Sequence, residues 1–197
     1  RIFKLREHLD RLRSSALALA FAERGIRVLG FDVDPEKPRR IGAGDCYIKH
    51  LDEGRLKDAV THGLLSATTD FSRLSEPDAI LICVPTPLRK TKDPDISYIV
   101  NALDEITRET RKGQLIVLES TTYPGTTEEV ILPLLQDKGL EVGKDFFLAF
   151  SPERVDPGNP HYQTHNIPKV VGGVTARCTE AAATLYEQFM ETVVPPI

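Results

Sequence analysis

A chain of 197 residues with 41% hydrophobic and 27% charged side chains has the size and balance of one globular domain with a substantial core. Its net charge of -4, with no basic cluster, offers no attraction to nucleic acid or an anionic membrane, and no apolar run approaches a membrane span. Three separated cysteines, Cys46, Cys83 and Cys178, suggest no disulfide framework and suit a reducing cytoplasm, while neither they nor the five histidines show metal-ligand spacing.

Ile2, Leu5, Leu9 and Leu12 recur at helical spacing with charges between them. This predicts an amphipathic helix over 1–15, packed on the surface or docking a partner, rather than a secretion signal. The main domain is expected over 16–197. It starts with a helix at Ala16–Arg24, capped by Ser14 or Ser15 and stopped by Gly25. "IRVLGFD" (26–32) reads as a buried strand. A loop-rich stretch follows, with a short helix in "EGRLKDAV" and a short strand at "LSATTD". "DAILICV" (78–84) is a continuous apolar run of the kind that a sheet covered on both faces requires, and it makes Cys83 a buried thiol. Asp95 is placed to cap a helix carrying Ile96, Ile99, Val100, Leu103 and Ile106 on one stripe. "QLIVLES" (114–120) is another buried strand, and "PGTTEEVILPLLQDKG" a helix that Pro133 should kink or restart. "FFLAFSPE" and "KVVGG" read as strands and Thr175–Thr192 as a last helix.

This alternation predicts an α/β fold with a doubly wound, mostly parallel, Rossmann-like sheet. Ligands in such sheets sit beyond the carboxyl ends of the strands, so the residues just past each apolar run matter most. Asp32 stands where a carboxylate would accept hydrogen bonds from a ribose and repel a 2′-phosphate, although "DVDPEK" is equally good turn chemistry. Lys37, Arg39 and Arg40 nearby suit either phosphate or the surface. "CVPTPL" sets Pro85 and Pro87 around Thr86, which presents backbone and hydroxyl groups rigidly, or is simply a stiff strand exit. "ESTTYPGTT" offers Ser120, Thr121 and Thr122 ahead of a helix amino end, which a hydroxyl turn with a cap would explain as well. In "SPERVDPGN", Glu153 has the chemistry of a general base or of an ion pair with Arg154.

"LGFDVD", "ICVPTPL", "PDISYI", "ESTTYPGTTEE", "SPERVDPGN" and "IPKVVGG" occur in the order seen in the UDP-glucose/GDP-mannose dehydrogenase family. From about Ala16 to Val194 the chain resembles that family's UDP-N-acetylhexosamine 6-dehydrogenase branch. The resemblance implies oxidation of a sugar-nucleotide C6 alcohol to the carboxylate with two NAD⁺, through a cysteine-bound intermediate, for surface polysaccharides. It implies NAD as cofactor, a UDP-sugar as substrate, a homo-oligomer in the whole enzyme, and neither metal, nucleic acid nor membrane as partner. By position, Asp32 and Lys37 would contact the adenosine ribose. Val84, Pro85 and Thr86 would lie along the cofactor, and Ser120 and Thr121 beside the nicotinamide, with Thr121 near the reacting centre. Glu153 would assist thioester hydrolysis, and Arg154 and Val155 would run under the sugar nucleotide.

Two departures set further expectations. Family members carry roughly Gly-x-Gly-Tyr-Val-Gly-Leu-Pro, preceded by a first strand, where this chain has only "RLRSS". A central strand cannot be lost cheaply, so a strand and glycine loop are expected to be missing from the sequence near Ser14–Ala16. None of the three cysteines matches the nucleophile position, so the chain reads as a cofactor half without turnover of its own. Two rivals remain at this point: a hydroxyacid-type dehydrogenase, and a Rossmann scaffold that binds no cofactor.

Overall fold

The computed structural model describes residues 2–3, 10–46, 52–89, 94–152 and 168–194. In chain order the strands are β1 (Ile2–Phe3), β2 (Val28–Phe31), β3 (Leu65–Thr68), β4 (Ala79–Ile82), β5 (Leu115–Leu118), β6 (Phe147–Phe150), β7 (Lys169–Val170), β8 (Gly172–Gly173) and β9 (Val193–Val194). The α-helices are α1 (Asp10–Glu23), α2 (Glu36–Gly42), α3 (Glu53–Thr61), α4 (Ser97–Glu109), α5 (Leu132–Gln136) and α6 (Ala176–Tyr186).

Strands β4 and β5 are buried at every position, as continuous apolar runs must be between two helical layers. They pair in parallel with each other, and β5 pairs in parallel with β6. β2 pairs in parallel with β3. β1 bonds in parallel to Ala79 and Ile80 and packs beside β2, which gives the order β3-β2-β1-β4-β5-β6, with β8 antiparallel on the outer edge of β6. β7 and β9 form a separate parallel pair. This is the doubly wound, mostly parallel sheet that the alternating pattern predicts.

The amino end departs from expectation. No helix occupies the whole of 1–15: Ile2–Phe3 is a strand, and α1 starts at Asp10 and runs through Ser14 and Ser15 to Glu23. The two serines are therefore inside the helix, and the boundary expected between 15 and 16 falls within one continuous element. The physical reason is the edge of β4. Pairing satisfies backbone groups that a helix over the first residues would leave without partners in the sheet, and this outweighs a weak local period. The first strand expected to be missing is thus represented by Ile2–Phe3. No glycine precedes Gly25, and the residues that join β1 to α1 lie outside the described ones.

Two apolar layers cover the sheet. Leu17, Leu19, Phe21, Leu56, Ala182, Tyr186 and Phe189 pack on one face with Leu81 and Val117. Leu74, Ile99, Leu103, Ile106, Ile131 and Leu135 pack on the other with Ile80, Ile82, Ile116 and Leu118. Gly25 ends α1 at φ 77, a conformation that only glycine adopts freely. Pro133 acts as expected. It has no N–H to bond the carbonyl four residues earlier, and the chain widens into a π turn over Thr126–Ile131 before α5 resumes.

At α4, Asp95 accepts the Ser97 N–H at 3.0 Å and an Arg89 guanidinium N–H at 2.9 Å. Arg89 first, then Ser97, draw its carboxyl down to about 2. The last helix is shorter than its pattern suggests: α6 closes at Tyr186, with Thr175 accepting the Cys178 N–H at its start.

Candidate functional site

Parallel register brings the strand ends level. Ile82 pairs with Leu118 and Leu118 with Phe150, so Cys83, Glu119 and Ser151 emerge side by side at the carboxyl edge. The backbone ladder continues past them, with Glu119 N–H donating to the Ile82 carbonyl and Ser151 N–H to that of Leu118. The strand order reverses at β1, and ligands of such sheets bind beyond the carboxyl ends of the strands at a reversal of this kind.

Asp32 follows β2 and extends its ladder, donating its N–H to the Thr68 carbonyl at 3.2 Å. Its carboxylate accepts the Asp34 N–H at 2.9 Å, an Asx turn that aims the chain into α2. Lys37, on the first turn of α2, donates to both carboxylate oxygens at 3.1 and 3.0 Å. The side chains keep 16% and 8% of their exposure, so this ion pair is fixed at the edge of the core. Arg39 and Arg40 are instead engaged on the surface, by Glu36 and Asp45.

A second group joins β4 to β5. The buried Ser120 hydroxyl accepts the Val84 N–H at 2.8 Å and donates to the Val84 carbonyl at 2.6 Å. Thr86 donates to the Thr121 carbonyl at 2.5 Å. Val84 is buried, Pro85 and Thr86 half-buried and Thr121 exposed, so the staple fixes a turn whose outer residue is Thr121. Thr122 bonds Thr126 hydroxyl to hydroxyl at 2.7 Å and so ties this turn to the π turn.

Glu153, Arg154 and Val155 lie outside the described residues. Ser151 is buried at the tip of β6 and donates through its hydroxyl to the Val170 carbonyl at 2.8 Å. Cys83 and Cys178 are both buried. The Cys178 sulfur accepts the Leu148 N–H at 3.4 Å and the Thr175 hydroxyl at 3.1 Å, which is a structural use of a thiol.

Sequence reasoning missed one polar group altogether. Glu119 points into the apolar layer beside α6, where Tyr186 donates its hydroxyl to one carboxylate oxygen. Lys169 Nζ lies 3.3 Å from the same oxygen and 5.0 Å from the centre of the Tyr186 ring. Burial foremost, and then the Glu119 carboxylate, raise Tyr186 well above the ordinary phenol range, so it stays a hydrogen-bond donor. The available signal was parity: Glu119 shares a strand face with Val117, which is a core position.

Residues 15–190 match the model of the UDP-glucose/GDP-mannose dehydrogenase family, NAD binding domain. The chain belongs to that family. It is 33% identical over 175 residues to UDP-N-acetyl-D-glucosamine 6-dehydrogenase of Pseudomonas aeruginosa, an alignment covering 88% of this chain and 40% of that protein. It is 34% identical over 175 residues to UDP-N-acetyl-D-mannosamine dehydrogenase of Pyrococcus horikoshii, covering 88% and 42%. The solved structure of the UDP-D-ManNAc dehydrogenase from Pyrococcus horikoshii superposes with a TM-score of 0.89 at 32% identity over 99% of this chain and 46% of that one. The NDP-N-acetyl-D-galactosaminuronic acid dehydrogenase from Methanosarcina mazei gives 0.88 at 31% identity, over 98% and 43%. The chain thus spans less than half the length of these family members and corresponds to their NAD-binding domain. Family membership removes the hydroxyacid-type rival.

The residues present fit a dinucleotide. A half-buried carboxylate closes β2, and two stapled turns close β4 and β5 at the same edge. Among the described residues there is no group of three or more His, Cys, Asp or Glu side chains arranged to hold a metal, and no helix long and apolar enough to cross a membrane.

Proposed function

We propose that this chain is the cofactor half of a cytoplasmic nucleotide-sugar dehydrogenase that oxidises the C6 alcohol of a UDP-N-acetylhexosamine to the carboxylate for surface polysaccharide synthesis. The observation that supports it most is the level row of strand ends, with the Asp32–Lys37 pair beyond β2 and the Val84–Ser120 staple beyond β4 and β5. When bound, NAD⁺ accepts the hydride removed from the substrate carbon. Asp32 accepts hydrogen bonds from the adenosine ribose, and Lys37 holds the carboxylate in place to do so. Val84, Pro85 and Thr86 line the middle of the cofactor as a rigid wall that loses little entropy on binding. Ser120 and Thr121 orient the nicotinamide end, with Thr121 next to the reacting carbon.

Arg154 and Val155 run beneath the sugar nucleotide, and Glu153 assists hydrolysis of the cysteine-bound acyl group. The nucleophilic cysteine and most of the sugar pocket belong to the further length that the family members possess. On this reading the present chain binds cofactor without turning over substrate.

The fixed Asp32 carboxylate gives the test. Asp32→Asn removes the charge that repels a 2′-phosphate and weakens the ribose contact. The ratio of NADP⁺ to NAD⁺ dissociation constants is expected to fall about tenfold, equivalent to roughly 1.4 kcal/mol. Calorimetric titration of both nucleotides into wild type and variant measures it. An unchanged ratio would remove Asp32 from the ribose role.

A further inference from the structure

The Glu119–Lys169–Tyr186 group is a cluster of polar side chains inside an apolar layer, and the function proposed above does not use it. All three side chains are almost fully buried: Tyr186 is completely enclosed, and Lys169 and Glu119 keep only 4% of their side-chain exposure each. They come from three separate elements, namely the tip of β5, the start of β7 and the end of α6. Burying a carboxylate and an ammonium together adds little net stability, because desolvation offsets their attraction. What such a group supplies is a fixed position for the backbone that carries it.

That backbone is the turn beyond the carboxyl end of β5, where the proposed function puts the cofactor. Glu119 is bonded to Ser120, whose hydroxyl staples Val84 through two hydrogen bonds, and Thr121 next in line takes the Thr86 hydroxyl on its carbonyl. The same turn is held from behind as well. Ser151 donates its N–H to Leu118 and its hydroxyl to Val170, adjacent to Lys169, while Lys169 donates its N–H to the Thr192 carbonyl at 2.9 Å. Tyr186 in turn is clamped among Phe21 and Phe189, with ring centroids at 6.5 and 6.2 Å. A displacement of α6 or of β7 therefore reaches Ser120 and Thr121 through the Glu119 side chain, with Ser151 as a second tie between β7 and the end of β5. Cys83, whose sulfur lies 3.9 Å from the second Glu119 oxygen, closes the group on the β4 side.

We infer that Glu119, Lys169 and Tyr186 are positioning residues that set the Ser120–Thr121 turn for the nicotinamide end of the dinucleotide, leaving the adenosine end to Asp32. The inference rests on the cofactor reading above and adds to it a division of labour between the two ends. It makes α6 a mechanical support of the reacting end rather than only a cover for the sheet.

NAD⁺ and ADP-ribose, which share the adenosine half and differ in the nicotinamide, separate a positioning role from general support of the fold. Calorimetry on the 197-residue chain compares wild type, the double variant Glu119→Gln/Lys169→Met, and Tyr186→Phe. The double variant removes both charges together and so leaves neither one buried alone. Tyr186→Phe keeps the ring and its packing if the double variant does not fold. Wild type is expected to bind NAD⁺ more tightly than ADP-ribose. Both variants should retain wild-type affinity for ADP-ribose and lose about tenfold in affinity for NAD⁺. The inference is overturned if wild type shows no preference for NAD⁺, or if the variants leave NAD⁺ affinity unchanged. It is equally overturned if they weaken both ligands in parallel, the sign of a merely structural cluster. Wild type that binds neither ligand would overturn the cofactor reading itself, and this inference with it.

Discussion

Replacing Lys169 by methionine is expected to lower the unfolding free energy by about 3–5 kcal/mol, and adding Glu119→Gln to the same chain should recover most of that loss. The single change removes the ammonium 3.3 Å from a carboxylate that is 5% exposed and enclosed by apolar side chains. Tyr186 still donates to that carboxylate, but one neutral hydrogen bond does not replace a full opposite charge at this depth. The double change removes both charges at nearly constant volume, and replacement of a complete buried pair is often close to neutral. Urea unfolding measures both, with a fall in midpoint at unchanged slope marking a change in stability alone. A single variant as stable as wild type would mean that the pair carries no weight in the fold.

Gly173→Ala is expected to cost about 3 kcal/mol, by overpacking rather than by backbone strain. A methyl group there would stand 2.2 Å from the Thr179 backbone nitrogen and 2.5 Å from Cys178 backbone and side-chain carbons. These atoms belong to the first turn of α6, which Thr175 caps and which the Gly173 N–H holds through the Thr179 hydroxyl at 2.9 Å. The helix must move away from the sheet, and the Cys178 contact with Leu148 is disturbed with it. Gly30→Ala in β2 is the control. Its added carbon meets only Ala67 and Ser66 atoms at 3.6 Å, an ordinary contact. Equal urea midpoints for the two alanine variants would contradict the close approach of α6 to β8.

These effects mark where the sequence was readable. Buried strands such as "AILIC" and "LIVLE" announce themselves because a sheet covered on both faces needs unbroken apolar runs, and the residues that end them are then found by counting. Asp32, Thr86, Ser120 and Thr121 were located in this way and Val84 by the family resemblance, and the structure places them along one edge of the sheet. Local pattern failed where a distant partner decides. Ile2–Phe3 looked helical because the demand of the β4 edge cannot be seen from seven or eight neighbouring residues. Helix α2 was hidden by Pro35 and Pro38, which read as loop chemistry. Both fall at the helix start, where a missing N–H costs no intrahelical bond. Parity along β5 turns Glu119 inward, but its meeting with Lys169 and Tyr186 was hidden for the same reason as β1: they come together only after the chain has folded.

The account depends on a dinucleotide lying across the strand ends of this chain, and backbone amides report that directly. NAD⁺ titrated into isotope-labelled protein should shift the amides of Asp32, Lys37, Val84, Thr86, Ser120 and Thr121 in a saturable way. Those of Arg111 and Gln114, which bond to the 74–78 segment at the opposite end of the sheet, should stay in place. No saturable shift at any strand end, or shifts confined to the Arg111 end, would contradict the account and favour a Rossmann scaffold that binds no cofactor.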